Sequence, residues 1–485
     1  MKNKEKDILM EIAKRRGIIY PSFEIYGGLR GFYDYGPIGV RIKQNIEKII
    51  REYYVIDENC FEVECPTLSP EIVWVASGHV ENFADKLTEC KKCGEPYRAD
   101  HLLEEHLKES CDHLSLSEIH EKILELKIRC PKCKGELEKP YDYNLMFKTY
   151  VGPGKYKVSA YLRPETAQTT YLAFKRLWEV GRKKLPLGVL QIGHSFRNEI
   201  SPRQGMIRLR EFTQAEIQFF VDPENKKAPR FHEVSELKAE IITKDDERIN
   251  LTIGEAHEEN IIENQLIAYF LGKSLLLFEE IGIDRNRLKL RQHKDEERAF
   301  YSKDTWDIEF HSENFGRIEL VGISDRTDYD LKQHMHFSNE SMEVSYNGRR
   351  FVPHVIEVAY GVDRPLYCVL ESCFTIENGR TYFRFPERVA PYIAAVFPLV
   401  NKDGLREKAI EIYQKLKDER LFVLYDDSGS IGRRYARVDE IGVPFAITID
   451  YDTMKDGTVT IRYRDTREQD RITLDGLIKK LKQFK

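Results

Sequence analysis

Residues 196–216 have the sequence FRNEISPRQGMIRLREFTQAE, in which two strand-like runs flank a loop that contains proline and glycine. Alternation along the first strand places Arg197 and Glu199 on the same face. A guanidinium and a carboxylate on one rigid face can bind a phosphate and the amino group of a purine, and Phe212 can stack on a base. The competing interpretation is a surface hairpin with charged cross-strand pairs, and spacing alone favours it.

A second cluster lies at residues 354–364, with the sequence HVIEVAYGVDR. It predicts a strand that contains Glu357 and ends near Gly361, followed by a helix whose first turn contains Arg364. The guanidinium of Arg364 can stack on an aromatic ring or bridge phosphates. Alone this pattern is weak, because an Asp-Arg pair at a helix start is more often a surface salt bridge.

Together the two clusters resemble motifs 2 and 3 of the class II aminoacyl-tRNA synthetases. Residues 39–66, predicted as a helix and then a strand that ends at proline, are similar to motif 1, which forms the dimer interface in that class. The resemblance implies an α+β fold with an antiparallel-sheet catalytic domain, and a homodimer. The predicted strands that accompany it are 60–64, 156–162, 188–196, 210–220, 306–310, 317–321 and 354–357.

Residues 26–39 and 161–168, the latter YLRPETAQ, are similar to glycyl-tRNA synthetases of the archaeal and eukaryotic α2 branch. This resemblance extends over most of the chain. It implies that glycine is activated with ATP, that pyrophosphate is released, and that glycine is then transferred to tRNA(Gly). Three alternatives stay open here: a threonyl- or prolyl-type synthetase, a catalytically silent paralogue that serves as a binding module, and a zinc-ribbon nucleic-acid binder.

The resemblance implies roles for individual residues, with Arg197 and Arg364 as the catalytic ones. Arg197 would contact the α-phosphate of ATP, while Phe212 and Arg364 would stack on opposite faces of adenine. Glu319 would also help to hold Mg²⁺. The implied ATP-binding residues are Arg197, Asn198, Glu199, Ile207, Arg208, Leu209, Arg210, Glu211, Phe212, Glu319, Leu320, Gly361, Val362, Asp363 and Arg364. The implied glycine-binding residues are Arg98, Glu165, Phe212, Thr213, Gln214, Ala215, Glu216, Glu357, Ala359 and Gly361.

Glycine has no side chain, so an enzyme must recognise it by charge and by size. Glu165, Glu216 and Glu357 are expected to surround its ammonium group. A pocket too small for an added methyl group would exclude alanine, because rigid cores resist overpacking. One departure concerns the pocket: the family usually has Pro-Ser after the motif 3 glutamate, where this chain has Val358-Ala359. The role of Ala359 is therefore open.

The chain has 485 residues, of which 41% are hydrophobic and 32% charged, with a net charge of −5. This length favours two or three domains, and the composition is typical of a globular protein. Because there is no global positive charge, any contact with tRNA must use local basic patches. The longest apolar run, 389–400, contains two prolines and is shorter than the roughly 20 residues that span a membrane. We therefore expect no membrane association and a cytoplasmic location.

Four of the nine cysteines form two Cys-x-x-Cys pairs, Cys90 with Cys93 and Cys130 with Cys133. In a reducing compartment such pairs indicate a metal before a disulfide, and four thiolates are a tetrahedral zinc set. A helical hairpin at about 100–127 is predicted between the pairs. Four ordinary thiols are the alternative, and Cys111 or His113 are candidates to replace a ligand. We expect the zinc to be structural.

The chain is predicted to divide into a catalytic domain, residues 1–388, and an anticodon-binding domain, residues 389–485. The first would contain two charged insertions, at about 83–139 and 222–298, the former bearing the zinc. In the second, alternating strands and helices predict a partly parallel sheet. Arg433, Arg434 and Tyr435 are candidates there for contacts with tRNA phosphates and an exposed base.

Overall fold

The computed structural model of the chain describes residues 2–107, 111, 114–200, 202, 205–295, 297–298 and 302–484. Its helices are α1 (Lys2–Arg15), α2 (Gly39–Arg51), α3 (Glu71–Ala76), α4 (His79–Asn82), α5 (Ala99–Leu107), α6 (Leu116–Glu125), α7 (Ala167–Val180), α8 (Ile253–Glu258), α9 (Gln265–Glu280), α10 (Tyr329–Ser338), α11 (Asp363–Cys373), α12 (Leu405–Asp418), α13 (Ile431–Glu440), α14 (Thr453–Asp456) and α15 (Leu474–Lys482). Across these ranges, no helix has the length and apolar character needed to cross a membrane.

The strands of the N-terminal part are β1 (Ile19–Pro21), β2 (Tyr33–Tyr35), β3 (Phe61–Glu62), β4 (Leu68–Pro70), β5 (Ala84–Glu89), β6 (Pro96–Arg98), β7 (Tyr141–Asn144), β8 (Lys148–Val151), β9 (Val158–Leu162), β10 (Leu187–Phe196), β11 (Glu211–Val221), β12 (Lys238–Ile242), β13 (Arg248–Thr252), β14 (Leu288–Gln292), β15 (Asp304–Ser312), β16 (Gly316–Thr327), β17 (Val344–Tyr346), β18 (Arg349–Phe351), β19 (His354–Gly361), β20 (Phe374–Glu377) and β21 (Arg380–Phe383). The strands that follow are β22 (Ala394–Pro398), β23 (Val423–Tyr425), β24 (Phe445–Ile449), β25 (Thr458–Tyr463) and β26 (Gln469–Thr473).

Nine strands form the main sheet, in the order β13-β12-β14-β15-β16-β19-β11-β10-β3. Its neighbours are antiparallel except in two pairs, β12 with β14 and β3 with β10. The predicted antiparallel catalytic sheet is confirmed. The predicted strand at 60–64 is shorter than expected, because only Phe61 and Glu62 pair with β10.

The register of the central strands brings polar side chains together on one face of the sheet. Glu216 of β11 lies opposite Ala359 of β19, and two residues farther along Gln218 lies opposite Glu357. On its other side, Glu357 lies opposite Ser324 of β16. Since alternate residues of a strand share a face, these carboxylates and their neighbours face the same side.

The opposite face of the same strands packs against α9. Ala215, Ile217 and Val358 are buried there, in one apolar cluster with most of that helix. A helix that is apolar on nearly all sides belongs in a core, and α9 is buried along almost its whole length. Its buried Lys273 pairs with Glu58, with Nζ and Oε1 2.7 Å apart. The site therefore rests on a rigid layer.

The segment predicted as a charged insertion at about 222–298 is integrated into this layer. It supplies β12, β13 and β14 to the main sheet, and α9 to the core beneath it. The charged residues of the flanking turns and strands obscured this role in the sequence, because they outnumber the apolar residues around the one buried helix. Its status as an insertion, like the domain boundary near residue 388, stays a prediction.

Residues near 83–139 form a lobe built on β5, β6 and β7, a three-stranded antiparallel sheet. The predicted helical hairpin is confirmed as α5 and α6. Ser115 and Glu118 form a capping box at the start of α6, in which each side chain satisfies a backbone N–H group that the helix leaves free. Leu103, Ile119 and Ile123 close a small apolar core against the cysteine pairs.

The C-terminal part has a five-stranded sheet in the order β23-β22-β24-β25-β26. Its first three strands are parallel and the last two antiparallel to their neighbours, which confirms the partly parallel sheet predicted there. The N-terminal helix α1 ends against this part of the chain. Arg15 and Arg16 pair with Glu440 of α13 at 3.1 and 2.5 Å.

One further boundary differs from the sequence prediction and matters for the site. The strand predicted at 317–321 continues to Thr327 as β16. The six added residues include Ser324 and Arg326, both buried on the polar face of the sheet. The prediction stopped too early because Asp325 and Asp328 break the apolar alternation that usually marks a strand.

Candidate active site

A cavity of about 310 Å³ opens on the polar face of β11, β19, β16 and β15. Carboxylates gather at one end of it, and arginines with an aromatic ring at the other. Gln214 lies between the two ends. Its buried Oε1 atom has no hydrogen-bond partner among the described residues, so it offers an acceptor to a bound molecule.

Arg326 is the centre of the carboxylate end and is only 1% exposed. Its Nη1 atom donates to both oxygens of Glu357, each at 3.1 Å. Its Nε and Nη2 atoms donate to the two oxygens of Asp330 at 2.8 and 3.0 Å. Nη2 also lies 3.7 Å from Glu165. A single guanidinium thus faces three buried carboxylates, using the planar fork that suits such pairing.

Further hydrogen bonds fix these carboxylates in place. Gln168 bridges two of them, since its Nε2 atom donates to Glu165 at 3.0 Å and to Asp330 at 2.9 Å. Glu357 also accepts from Gln218 at 2.9 Å and from Ser324 at 3.3 Å. With its hydrogen-bonding capacity met in this way, Glu357 has little left to offer a ligand.

Glu216 differs from the other buried carboxylates in having few partners. Its carboxyl group accepts one hydrogen bond, from Thr166 Oγ1 at 2.6 Å, and no arginine or lysine among the described residues pairs with it. Burial and the charges of Glu357 and Glu165 raise the pKa of Glu216 to about 8. Burial acts on Glu165 as well, but attraction to His79 and Arg326 holds the pKa of Glu165 well below its usual range. Glu216 is therefore mostly protonated at neutral pH.

The other end of the cavity holds Arg197, Phe212 and Arg364. The guanidinium of Arg197 lies 5.3 Å from the ring centre of Phe212, and its Nε atom donates to the backbone oxygen of Pro164 at 3.2 Å. Arg364 donates to the Glu319 carboxylate at 3.1 Å and to the backbone oxygen of Ile207 at 3.2 Å. Two cations beside an aromatic ring suit a ligand that combines phosphates with a flat ring.

Asp363 fixes the start of α11 and with it Arg364. Its Oδ2 atom accepts from the backbone N–H of Thr213 at 2.6 Å, and its Oδ1 atom accepts from the hydroxyl of Tyr35. Tyr35 belongs to β2, which follows the glycine-rich segment near residue 27. The loop that resembles the start of the glycyl enzymes therefore supports the site through this contact.

An acidic corner lies beside Arg364. Glu319 lies opposite Glu309 in the pairing of β16 with β15, and Asp307 lines the cavity nearby. Burial and the charge of Glu319 raise the pKa of Asp307 to about 6. Glu309 has a buried oxygen, Oε2, with no hydrogen-bond partner in the described part of the chain. Crowded carboxylates with a spare acceptor atom suit a hard divalent cation.

The four cysteines of the lobe converge, with all their sulfur atoms within 4.8 Å of one another. Cys90 and Cys133 sulfurs are 3.4 Å apart, and those of Cys93 and Cys130 are 3.7 Å apart. Tetrahedral zinc with bonds of about 2.3 Å places its sulfurs about 3.8 Å apart. At Gly135, a Cβ atom would lie 2.9 Å from the Cys90 sulfur, so the chain leaves room there for the cluster.

The alternative zinc ligands receive no support from the described residues. Cys111 is buried in the apolar core of the lobe and is not among the four clustered sulfurs. His113 lies outside the described residues.

Two family models match the chain: the tRNA synthetase class II core domain (G, H, P, S and T) at residues 154–373, and the anticodon binding domain at residues 394–484. Proteins called glycine–tRNA ligase match over full length. The one from Pyrococcus furiosus is 44% identical, covering 100% of each chain, and the one from Methanocaldococcus jannaschii is 43% identical, covering 99% of each. The chain belongs to the glycine–tRNA ligases.

These glycine–tRNA ligases align over 567 and 573 positions, so they contain segments with no counterpart among the 485 residues here. A solved structure, the RNA-binding domain of threonyl-tRNA synthetase from Cryptosporidium parvum, matches with a TM-score of 0.62 over 98% of both chains. At 18% identity this is a likeness of fold. Family membership sets aside the threonyl- or prolyl-type alternative and the zinc-ribbon alternative. The alternative of a catalytically silent paralogue is decided by measuring enzymatic activity.

Most residues that the glycine–tRNA ligase resemblance implied come together in the cavity. Those that line it are Glu165, Arg197, Glu199, Ile207, Arg208, Leu209, Phe212, Gln214, Glu216, Glu319, Glu357, Ala359, Gly361, Asp363 and Arg364. They derive from five separate parts of the chain, and the pairing of β10, β11, β16 and β19 joins four of these parts.

The remaining predicted residues do not line the cavity, because their side chains are engaged elsewhere. Leu320, Ala215 and Val362 are buried in the core. Thr213 is also buried, and it contributes a backbone N–H to Asp363. The binding roles predicted for these four positions stay predictions.

Four further predicted positions, all polar, also lie outside the cavity lining, and their predicted binding roles stay predictions. Asn198 donates to the hydroxyl of Tyr143, and Arg210 donates to the backbone oxygen of Glu199 at 2.8 Å. Glu211 lies 2.9 Å from His194. Arg98 pairs with Asp100 and with Asp85 in the lobe.

Sequence reasoning missed several residues that line the cavity, above all Arg326, Ser324 and Asp307. A signal existed for each. Alternation from Gly322 puts Ser324 and Arg326 on one face of β16, and alternation along the predicted strand at 306–310 puts Asp307 on one face with Glu309. Neither set belongs to a motif that had been recognised.

Two candidate contacts with tRNA in the C-terminal part have side chains that pack within the fold. The Arg434 side chain is 3% exposed and donates to the backbone oxygens of Gly429 and Pro398. Tyr435 bonds through its hydroxyl to Thr448 at 2.7 Å, and the guanidinium of Arg462 covers its ring. Both side chains hold α13 on the sheet.

Replacing Arg326 with leucine is expected to destabilise the fold. Without the guanidinium, the buried carboxylates of Glu357 and Asp330 lose the cation that donates hydrogen bonds to both of them. Breaking one partner of a buried pair costs about 3–5 kcal/mol. The measurement is the midpoint of thermal unfolding.

The matched control is Arg317→Leu, on the same strand but with a mostly exposed side chain. An Arg326→Leu loss of stability that equals the loss in the control would contradict the role given to the buried guanidinium.

Proposed function

We propose that the chain ligates glycine to tRNA(Gly), first forming glycyl-adenylate from glycine and ATP and then transferring glycine to the 3′-terminal adenosine. The observation that supports this most directly is the junction of a buried carboxylate cluster and a cationic, aromatic cleft in one cavity. Full-length identity of 43–44% to glycine–tRNA ligases agrees with it.

The glycine ammonium group is proposed to lie beside Glu216. Glu165 and Glu357 were also expected to surround it, but Arg326 neutralises Glu357 through two hydrogen bonds. Glu216 has no such partner, so its carboxylate is the one whose ionisation a ligand cation would favour. Glu165, 3.7 Å from the guanidinium, would share the ammonium as a second, weaker acceptor.

Ala359 lines the cavity beside Glu216. The serine hydroxyl that the family usually provides at this position is absent, so recognition would rely more heavily on charge. Its methyl group would also narrow the space for any side chain on the substrate, which favours glycine over alanine.

ATP is proposed to occupy the other end. Adenine would lie between Phe212 and Arg364, its amino group would meet Glu199, and Arg197 would contact the α-phosphate. Support comes from the shared cavity and from the fixed position of each group: Arg364 is held by Glu319 and by Ile207.

The chemistry then needs no covalent bond to the protein. The carboxylate of glycine attacks the α-phosphorus of ATP, and pyrophosphate leaves. The 3′-hydroxyl of tRNA attacks the carbonyl carbon of the adenylate, and AMP leaves as the ester forms. Arg197 would offset negative charge that develops on the phosphoryl oxygens in the first step. Positioning of both substrates in one rigid cleft would supply much of the acceleration.

Asp307 and Glu319 are proposed to hold Mg²⁺, with Glu309 beside them. Their fit rests on the raised pKa of Asp307 and on the unpartnered oxygen of Glu309 in the described chain. When bound, the cation would neutralise phosphate charge.

The four cysteines are proposed to hold a structural zinc ion, on the strength of sulfur spacings close to those of a tetrahedral site. Residues 389–485 are proposed to bind the anticodon of tRNA(Gly). Similarity of residues 39–66 to motif 1 supports a homodimer, and the substrates of protein synthesis suit a cytoplasmic location.

Arg197→Ala is expected to lower glycine-dependent ATP–pyrophosphate exchange by about a hundredfold or more, because a charge-offsetting group is typically worth this much in the transition state. The control is Arg350→Ala, whose side chain is exposed and does not line the cavity. Near-normal exchange in the Arg197 variant would remove that residue from the mechanism. A wild-type chain that exchanges with none of the twenty amino acids would instead support the silent paralogue.

Glycine binding is expected to release a proton at neutral pH. Glu216, with its pKa at about 8, is protonated in the free protein and must ionise beside the ammonium group. Affinity should therefore rise with pH up to about 8, by at most about tenfold per pH unit. Calorimetry at about pH 7 in two buffers of different ionisation enthalpy counts the protons. In Glu216→Gln the release should vanish, and a wild-type chain that releases none would refute the assignment.

Zinc content offers an independent test of the lobe. Wild type purified without chelator is expected to contain about one zinc per chain, and Cys130→Ala less than half of that, because three thiolates leave the tetrahedral site open. Cys111→Ala, in the same lobe but outside the cluster, is the control and should keep its zinc. If Cys111→Ala loses its zinc and Cys130→Ala keeps it, then Cys111 and not Cys130 is a zinc ligand.

A further inference from the structure

A short segment outside the recognised motifs reaches both ends of the cavity. It runs from Ser77 through α4 to Phe83. His79 is buried and lies behind the carboxylate end, while Phe83 packs behind the cationic end. Neither residue lines the cavity itself, and the resemblance assigns no role to either.

His79 lies beside one carboxylate oxygen of Glu165, and Arg326 lies beside the other. Its Nε2 atom lies 3.5 Å from Glu165 Oε2, and its Nδ1 atom lies 2.8 Å from Ser77 Oγ. If the serine hydroxyl donates to Nδ1, the ring presents an N–H to the carboxylate. Trp74 packs its ring edge against the imidazole, 5.5 Å between centres, so the imidazole has little freedom to turn.

Phe83, four residues after His79 in the chain, packs against the side chain of Arg197. The guanidinium lies 5.3 Å from the ring centre of Phe83 and 5.3 Å from that of Phe212, so two aromatic rings flank one cation. The rings of His79 and Phe83 are themselves 5.4 Å apart. A continuous set of contacts therefore runs from Glu165 to Arg197.

The segment is anchored from the lobe that bears the cysteines. Asn144 donates to the backbone oxygens of His79 and Val80 at 3.2 and 3.0 Å, and Leu145 donates its backbone N–H to Phe83 at 3.0 Å. These bonds fix the backbone, so the two side chains keep a set distance. Such fixed support is what precise placement of reacting groups requires.

We propose that His79 and Phe83 are positioning residues, His79 for Glu165, the second acceptor of the glycine ammonium, and Phe83 for Arg197, which meets the ATP phosphates. This inference rests on the proposed function and deepens it, because one turn of chain then sets the spacing between the two substrates. The two residues act through Glu165 and Arg197 and touch neither substrate.

The test compares variants by glycine-dependent ATP–pyrophosphate exchange. His79→Leu is expected to raise the KM for glycine by about tenfold to a hundredfold, the usual effect of losing a hydrogen bond to a charged group, with the KM for ATP nearly unchanged. His79→Gln, which retains an N–H donor, should recover most of the affinity. If His79→Leu does not fold, Ser77→Ala replaces it and should raise the same KM by about twofold to tenfold.

Phe83→Leu should act on the other substrate. Loss of the aromatic face should lower kcat by about threefold to thirtyfold and leave the KM for glycine within about twofold, while Phe83→Tyr should restore kcat. Val80→Ala is the matched control, since Val80 packs in the same segment without contacting either charged residue. All variants are checked by circular dichroism and thermal unfolding.

The inference is overturned if His79→Leu behaves like Val80→Ala, if His79→Gln fails to recover affinity, or if Phe83→Leu changes only the thermal midpoint. A wild-type chain without glycine-dependent exchange would refute the proposed function itself, which separates the two failures. The split between KM for glycine and kcat is the readout that a purely structural role would not produce.

Discussion

The buried guanidinium of Arg326 is the interaction on which the rest of the site depends. It faces Glu357, Asp330 and Glu165, and three carboxylates share one positive charge. Buried carboxylates tolerate such crowding only when they are paired or protonated. The shortage of positive charge is most marked at Glu216, whose pKa rises to about 8. A small ammonium ion is the natural complement to such a cluster, and glycine brings one with almost no other surface. In the proposed function, specificity for the smallest amino acid begins as a charge imbalance that the fold itself creates.

The sheet would also hold the second substrate, ATP, in a fixed place relative to these carboxylates. Glu216 and Phe212 are on the same strand, four residues apart and therefore on the same face, so the carboxylate cluster and the cationic cleft cannot move independently. The apolar layer behind them, with α9 at its centre, makes that strand rigid. Asp363 then ties the start of α11 to β11 through a backbone bond, which sets Arg364 against the same frame. A reaction that depends on orientation gains most from a scaffold of this kind.

Prediction from the sequence was most accurate where one short motif contains both a strand and the residues that line the cavity. Arg197, Phe212, Glu216 and Arg364 all line the cavity, because the motifs that contain them also define the strands. Prediction from the sequence was least accurate where the position of a residue depends on contacts between segments that are distant in the chain. Arg326 lies near the end of β16, where aspartates interrupt the apolar alternation. Asp330 reaches it only through the turn into α10. Arg434 looked like a surface residue beside Arg433, but the parallel sheet buries it. The buried helix α9 was hidden within a charged segment. In each case burial is a property of the tertiary fold, which local sequence does not encode.

The central proposal is that buried carboxylates hold the ammonium group of the substrate. Competition by glycolate tests this directly, since glycolate has the size and carboxylate of glycine with a hydroxyl in place of the ammonium. The measurement is inhibition of glycine-dependent ATP–pyrophosphate exchange at about pH 8. The account predicts that glycolate at about a hundred times the KM for glycine inhibits exchange by less than half, because a charge pair in a buried site is worth several kcal/mol. Inhibition at concentrations close to the KM for glycine would show that the ammonium contributes little, and would contradict the account.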